Sequence, residues 1–566
     1  MRRMTSDSSI RIGHRVFWVV PLLLYLVASL AFFSHGIAPG LVFQPQGDSG
    51  AFIWFLNWWP FALSHHINPF VSFYVWSPIG FNMLWATSVP TLSLLAAPIT
   101  LKFGPATSWN LLSLMAPILN SFAMYYLLRY ITKDRTASLV GGYLFGFSSY
   151  VLGQLLGHLN LAFVPLIPVF TLLALRRANR DIGRVAFVAL TSLAAILQFG
   201  ISMELLATAT FVGSLAGLLF FLPFKNTLDL KGLAKDTAVS GLITIIVLAP
   251  AIYYLIVGYG QVPDVINSAT AFSADLLNFI VPTPITRIGG SVFSHVSGKF
   301  TGNFSEQGAY LGIPLLIAAF LAVYANRRAK WMRPILLVLL FTMLFSLGPT
   351  LWISGNDTTI PLPWQLLVHV PLLAHALPVR FAVYTVLIVS VLVTLWLSDA
   401  SVGRVGKAGR YCFFVVAAVF LMPNAGFYLF GKIATPDLLS QGRLSDVIGH
   451  NKTAIVLPYG HLGNSMYWQV SSNMTFRMTG GYLGFVPRYF SRFPATSYLY
   501  GRELPVSRER FKNAIYAFCV IHDVGGIVIT PGTNPRLAAY LERLPWERVT
   551  ENSILILKVP EHSKLN

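Results

Sequence analysis

Residues 36–85 read GIAPGLVFQPQGDSGAFIWFLNWWPFALSHHINPFVSFYVWSPIGFNMLW, and a second apolar run, PTLSLLAAPITL, follows at 90–101. Asp48 is the single acidic residue from 36 to 107. It lies between Gly47 and Gly50, directly ahead of a helical pattern carrying Trp54, Trp58 and Trp59. Tryptophan favours membrane–water boundaries, and an acid held at such a boundary is costly unless it is paired or has a task. The stretch therefore predicts two juxtamembrane helices, at 50–64 and 90–101, that lie on one face of a membrane without crossing it. Asp48 would head the first. Two plainer readings of that acid stand beside this one: a solvated side chain, or an N-cap whose carboxylate accepts N–H bonds from the first turn.

The rest of the chain supplies the membrane. Of its 566 residues 55% are hydrophobic and 11% charged, and the mean hydropathy is +0.64, outside the range of soluble globular proteins. Apolar windows of about twenty residues fall near 16–35, 108–128, 137–157, 160–175, 185–201, 203–222, 237–257, 307–325, 334–352, 379–398 and 411–431. They predict an α-helical polytopic membrane protein with about eleven transmembrane helices. The apolar run that begins at Val16 is longer than the core of a secretory signal and lacks a small-residue cleavage site, so it reads as an uncleaved anchor.

The net charge of +19 is explained by topology. With the N-terminus in the cytoplasm, one side collects the Lys and Arg of 2–15, 129–135, 176–184, 225–235, 327–333 and 404–410. The other side, up to 431, has only Lys102, Arg287, Lys299 and Arg380. This is the positive-inside pattern. Counting 90–101 as a span would invert every later loop, which is why that run is placed on the outer face. No basic groove interleaved with aromatics appears, so nucleic acid is not an expected partner. The two cysteines, Cys412 in an apolar span and Cys519 in the terminal domain, are not expected to pair.

Long loops at 36–107, 258–306 and 353–378 put the functional surface outside. After residue 431 hydrophobicity falls and strand-like runs appear, TAIVLPYG, GGIVITPG and SILILKVP, separated by Gly, Pro and Asn, with a helical pattern at PRLAAYLERL. Residues 1–431 are therefore read as the transmembrane domain and 432–566 as a soluble extracytoplasmic α/β domain. Ionisable residues at the outer ends of the spans are the candidates for chemistry: Glu204, Glu306, His158 with Asn160, and Arg380 with His369 and His375 ahead of it. His65 and His66 are adjacent and point to different sides of a helix, which makes a shared metal ion a poor fit.

An outward loop bearing an acid soon after the first helix, two juxtamembrane helices, then a helix with a basic cytoplasmic end: this arrangement resembles the GT-C class of polyprenyl-phosphate-sugar-dependent glycosyltransferases. More closely it resembles the bacterial YfhO-like membrane proteins, through GDSGAFIWFLNWWPFALSHHINPF with SPIGFNML, GHLNLAFVPLIPVFTLLALRR, SEQGAYLG, LPWQLLVHVPLLAHALPVRFAVY, AIVLPYG and TGGYLGF. The resemblance implies a multi-pass protein of the bacterial inner (plasma) membrane. It implies a polyprenyl-phosphate-linked sugar as donor and a glycan, lipid or protein as acceptor, with inversion at the sugar carbon. Asp48 would be the general base, Arg380 and His375 would hold the donor phosphate, and His158, Glu204, Glu306 and His66 would line the cavity and acceptor site. No cofactor is required, and a divalent cation is possible. Where several GT-C members place a second acid, at the outer end of the third helix, this chain has His158 and Asn160. For Arg380 an interfacial anchor that snorkels to head groups is the alternative, and for His158 a packing role. Two other classes compete with the transferase: a transporter or flippase for lipid-linked glycans, and a membrane scaffold whose outer domain binds a partner.

Overall fold

The computed structural model describes residues 7–260, 267–370 and 373–560, with side chains from residue 19 onward. The chain forms two compact units. The first holds residues up to 38, 110–247 and 267–430; the second holds 39–109, 248–266 and 431–566.

The first unit is helical. Among the described residues five helices are long and apolar enough to cross a membrane: Pro105–Thr132, Leu159–Ala178, Arg184–Ile201, Met203–Phe224 and Pro378–Ser398. The bent pair Leu230–Val247 and Ala249–Gly258, whose second helix is assigned to the second unit, makes a sixth if taken together, and Val19–Phe33, Ile313–Ala325 and Met332–Ser346 are shorter apolar helices. Fifteen of the seventeen residues of Ala382–Ser398 are buried. A helix apolar all round and buried all round belongs at the centre of its unit.

Two predicted spans are interrupted. The helix expected over 137–157 ends at Gly146 and restarts at Ser149, where the Ser148 hydroxyl accepts the Val151 N–H at 3.4 Å. The one expected over 160–175 breaks between Ala162 and Leu166. There the buried Asn120 side chain donates to the Ala162 carbonyl (2.8 Å) and accepts from the Val164 N–H (2.9 Å). Backbone groups freed inside a membrane protein need such internal partners.

The second unit joins the stretch around Asp48 to the C-terminal region. Helix Ser49–Ser64 has twelve of its sixteen residues buried, and the expectation of an interfacial helix with tryptophans at the lipid boundary is corrected here. Trp54, Trp58 and Trp59 are core residues, at most 5% exposed. Each indole N–H has found an acceptor: the Gln469 side chain at 2.7 Å, the Pro69 carbonyl at 2.9 Å and the Ser88 carbonyl at 3.1 Å. Trp54 and Trp58 stack with ring centres 5.2 Å apart. Buried indoles with satisfied N–H groups anchor a core as well as they anchor an interface; here Trp54 ties the helix to the C-terminal region, and Trp58 and Trp59 tie it to the loop that follows. Helix Pro90–Phe103 packs beside it through Ser93, whose hydroxyl donates to the Phe55 and Leu56 carbonyls. Leu95, Leu101 and Phe103 stay exposed.

The C-terminal region is built on five strands: β1 (Thr453–Leu457), β2 (Arg477–Met478), β3 (Val524–Ile529), β4 (Arg548–Glu551) and β5 (Ile554–Lys558). Their order is β4-β5-β3-β1-β2. β2, β1 and β3 run parallel, and β5 and β4 close the sheet as an antiparallel hairpin. The three apolar runs read from the sequence are β1, β3 and β5. β1 is buried along its whole length, as expected of a parallel strand covered on both faces.

Candidate functional site

In the first unit four of the candidate residues meet. Arg380 sits in the turn Pro378–Phe381 that opens the buried central helix. Its Nε donates to Glu306 Oε1 at 3.1 Å, its Nη2 donates to the same oxygen at 2.5 Å, and its Nη1 donates to Glu204 Oε2. Glu204 lies in the first turn of Met203–Phe224, behind Ser202, whose hydroxyl accepts the Leu205 N–H. Its second oxygen accepts the Leu377 N–H at 3.1 Å. Glu306 closes the turn Phe304–Glu306, which is capped by the Asn303 side chain, and its side chain is 2% exposed. His158 Nδ1 is 3.7 Å from Glu306 Oε1 and 2.8 Å from Gln154 Oε1, and Gln154 Nε2 donates to Glu306 Oε2 at 3.3 Å.

The site depends on close backbone approach. The segment carrying Glu306 lies so near helix Ser149–Gln154 that a Cβ at Gly153 would be 2.9 Å from the Ser305 carbonyl oxygen, and one at Gly308 2.8 Å from Tyr150 Cα. Only glycine fits at such separations. Burial alone would push the Glu306 carboxyl up, but the Arg380 guanidinium, His158 and the hydrogen bonds from Arg380 and Gln154 outweigh it and hold the group below the ordinary carboxylate range.

Asp48 belongs to the second unit. Its carbonyl accepts the Phe52 N–H that starts helix Ser49–Ser64 (3.0 Å), but its side chain makes no capping bond. The capping reading is thus corrected: the carboxylate is half-buried and turned to another use. It accepts a hydrogen bond from the Tyr482 hydroxyl, and burial together with the Asp48 charge raises the Tyr482 phenol well above its ordinary value, so that it stays a donor. His461 also feels Asp48, yet partial desolvation by its neighbours and the Arg502 charge keep its imidazole below the usual value. The His461 ring lies 5.6 Å from those of both Tyr482 and Tyr500.

His66, His369 and His375 are the other candidates. His66 is exposed, with a left-handed backbone (φ 55°) just past the end of helix Ser49–Ser64. Asp48 is at the other end, about 24 Å of helix away. His375 is half-buried in the turn Leu373–His375, and His369 is exposed. Among the described residues no three His, Cys, Asp or Glu side chains are grouped to hold a metal ion; where Glu204 and Glu306 converge, the guanidinium of Arg380 takes the position of a cation. Tyr482, His461 and Gln154 carry no role in the reading of the sequence. Tyr482 and His461 lie in or beside two of the quoted motifs, TGGYLGF and AIVLPYG, and Gln154 is a polar residue four before His158 in an apolar run.

The fold is that of the GT-C class. A mutant form of the arabinofuranosyltransferase AftD from Mycobacteria superposes with a TM-score of 0.56 at 12% identity, covering 97% of this chain and 42% of that one. Unmutated AftD gives 0.55 at 13%, covering 97% and 40%. The oligosaccharyltransferase AglB from Archaeoglobus fulgidus, in complex with an inhibitory peptide and a dolichol-phosphate, gives 0.53 at 13%, covering 91% and 69%. The chain thus spans about two fifths of the length of AftD. With its apolar helices, the likeness makes this a multi-pass membrane protein. The chain belongs to the family DUF6311, a domain of unknown function, whose model matches residues 45–373. No curated protein sequence matches it.

Proposed function

We propose that the protein is a membrane glycosyltransferase that moves a sugar from a polyprenyl-phosphate donor to an acceptor hydroxyl on the extracytoplasmic face, with inversion and with Asp48 as general base. The observation that carries the reading is the state of the Asp48 carboxylate. It heads a helix without capping it and is oriented by Tyr482. The GT-C fold and the membership in a family whose model begins at residue 45 are consistent with it.

In the proposed step Asp48 takes the proton of the acceptor hydroxyl as that oxygen attacks the sugar's anomeric carbon. The bond from that carbon to the phosphate oxygen breaks, and its electron pair leaves with polyprenyl phosphate. A phosphate leaves readily, so a cation to receive it matters more than a strong acid. Arg380 remains the candidate for that cation. Three of the five guanidinium N–H groups are held by Glu204 and Glu306, which leaves two in a fixed orientation for a phosphate oxygen. Two carboxylates outnumber one guanidinium, so Arg380 acts as an oriented donor and not as a strong positive field. The basic clusters of 129–135, 176–184 and 327–333 support a cytoplasmic placement of the loops that carry them, and with it an outer placement of the C-terminal region. The bacterial inner membrane as the site of action, and a divalent cation as an optional aid, belong to the same proposal.

The test is turnover of radiolabelled polyprenyl-phosphate sugars by the purified chain in lipid nanodiscs. Asp48→Asn should lower kcat by about 10²- to 10⁴-fold with unchanged size-exclusion behaviour. Retained turnover removes Asp48 from the chemistry.

A further inference from the structure

The sheet of the second unit points to a ligand site of its own. From β1 the chain passes through helix Ser465–Ser471 to β2 on one side; from β2 it returns through helix Arg508–Ile521 to β3 on the other side of β1. Parallel crossovers are right-handed, so connections leaving in opposite directions lie on opposite faces of the sheet. The loops at the carboxyl ends of β1 and β2 therefore part from each other, which is where open α/β sheets take their ligands.

Those two loops carry polar aromatic side chains. The one after β1 holds Tyr459 and His461, and the one after β2 holds Thr479 and Tyr482. Tyr500 packs against the first, with its ring 5.2 Å from Tyr459, and Asp48 reaches the second through Tyr482. Buried hydroxyls normally have partners, yet the buried Thr479 Oγ1 at this edge has no hydrogen-bond partner among the described residues.

We propose that the loops leaving β1 and β2, with His461, Tyr482 and Tyr500, form the subsite that holds a carbohydrate acceptor and presents its hydroxyl to Asp48. The proposal rests on the transferase reading and adds to it the chemical class of the acceptor and a task for the C-terminal region. Tyrosine and histidine rings offer an apolar face together with a hydrogen-bonding tip, which suits a sugar ring with its C–H face and hydroxyl edge. A lipid chain would call for an apolar groove, and beside the exposed Leu462 these loops present hydroxyls and an imidazole. The lowered basicity of His461 favours the neutral ring, which both donates and accepts.

Saturation-transfer NMR with methyl hexosides, methyl pentosides and disaccharides, on the full chain in nanodiscs, tests the subsite apart from turnover. At least one probe should bind, and His461→Ala and Tyr500→Leu should each weaken it about tenfold, the loss of roughly one good hydrogen bond or contact. His461 is exposed, so its variant guards against misfolding as the cause. Sugar binding that the variants weaken, in a protein that transfers nothing, supports the subsite and sinks the transferase reading. Transfer with an unchanged acceptor KM in both variants overturns the subsite and leaves the transferase standing. Binding of no sugar, or displacement of the sugar by a peptide or a lipid acceptor, also overturns it.

Discussion

At the residue scale the informative contrast is between the two kinds of acid this chain keeps. Glu204 and Glu306 are spent on Arg380, which joins three segments distant in sequence. Asp48 accepts a hydrogen bond from the Tyr482 phenol and acts on the His461 ring. For Glu306 the guanidinium stabilises the ionised carboxylate, which makes it a poor base. The Glu306 carboxyl lies below its ordinary value, so the folded state favours its ionised form. That contribution to stability is present above the ordinary carboxylate range and is lost as pH falls through the lowered value. Glu306→Gln should therefore cost about 3 kcal/mol at neutral pH and flatten the acid limb of thermal stability measured against pH in detergent. An unchanged acid limb would show that the ion pair contributes nothing to folding.

Between elements the same cluster depends on two glycines. Gly153 and Gly308 let the Glu306 segment and helix Ser149–Gln154 touch backbone to backbone, and no rotamer change can make room for a side chain there. Gly308→Val is expected to cost about 1–3 kcal/mol, read as a lowered Tm in detergent. A Tm equal to that of the parent would mean that the segments have room to separate. Apolar periodicity made long apolar helices legible in the sequence, because lipid demands long apolar runs, but not their number: about eleven spans are expected, and among the described residues five helices are long and apolar enough to cross, or six with the bent pair. It did not show where they break. The interruptions at Phe147 and Phe163 depend on a cap from Ser148 and on an Asn120 side chain supplied by another helix. The tryptophans of Ser49–Ser64 are core residues and not interfacial ones, for a related reason. An indole at an interface and an indole in a core read alike until the acceptor of its N–H is known, and for Trp54 that acceptor is Gln469, 415 residues further on. The acids and Arg380 stood out because charge is rare here, but which of them would pair is decided by three-dimensional packing alone.

At the scale of the whole molecule the transferase reading requires a particular sidedness: residues 39–109 and the C-terminal sheet outside, the basic loops inside. Charge asymmetry argues for it, since the lysines and arginines of 327–333 and 404–410 would be costly to translocate next to short spans. Thiol labelling in intact cells decides the matter, because the chain has only two cysteines. Of these, Cys519 is buried and Cys412 is exposed, so Cys412→Ser gives a silent background. In it Val506→Cys, at one of the most exposed positions of the C-terminal region, should react with a membrane-impermeant maleimide on intact cells. Arg328→Cys, also exposed, should react only after permeabilisation. The reverse pattern would put Asp48's unit in the cytoplasm, away from an extracytoplasmic acceptor. Labelling of both sites in intact cells would mean that the chain does not hold one orientation, and a base that must meet a lipid-borne donor on a single face could not then be Asp48.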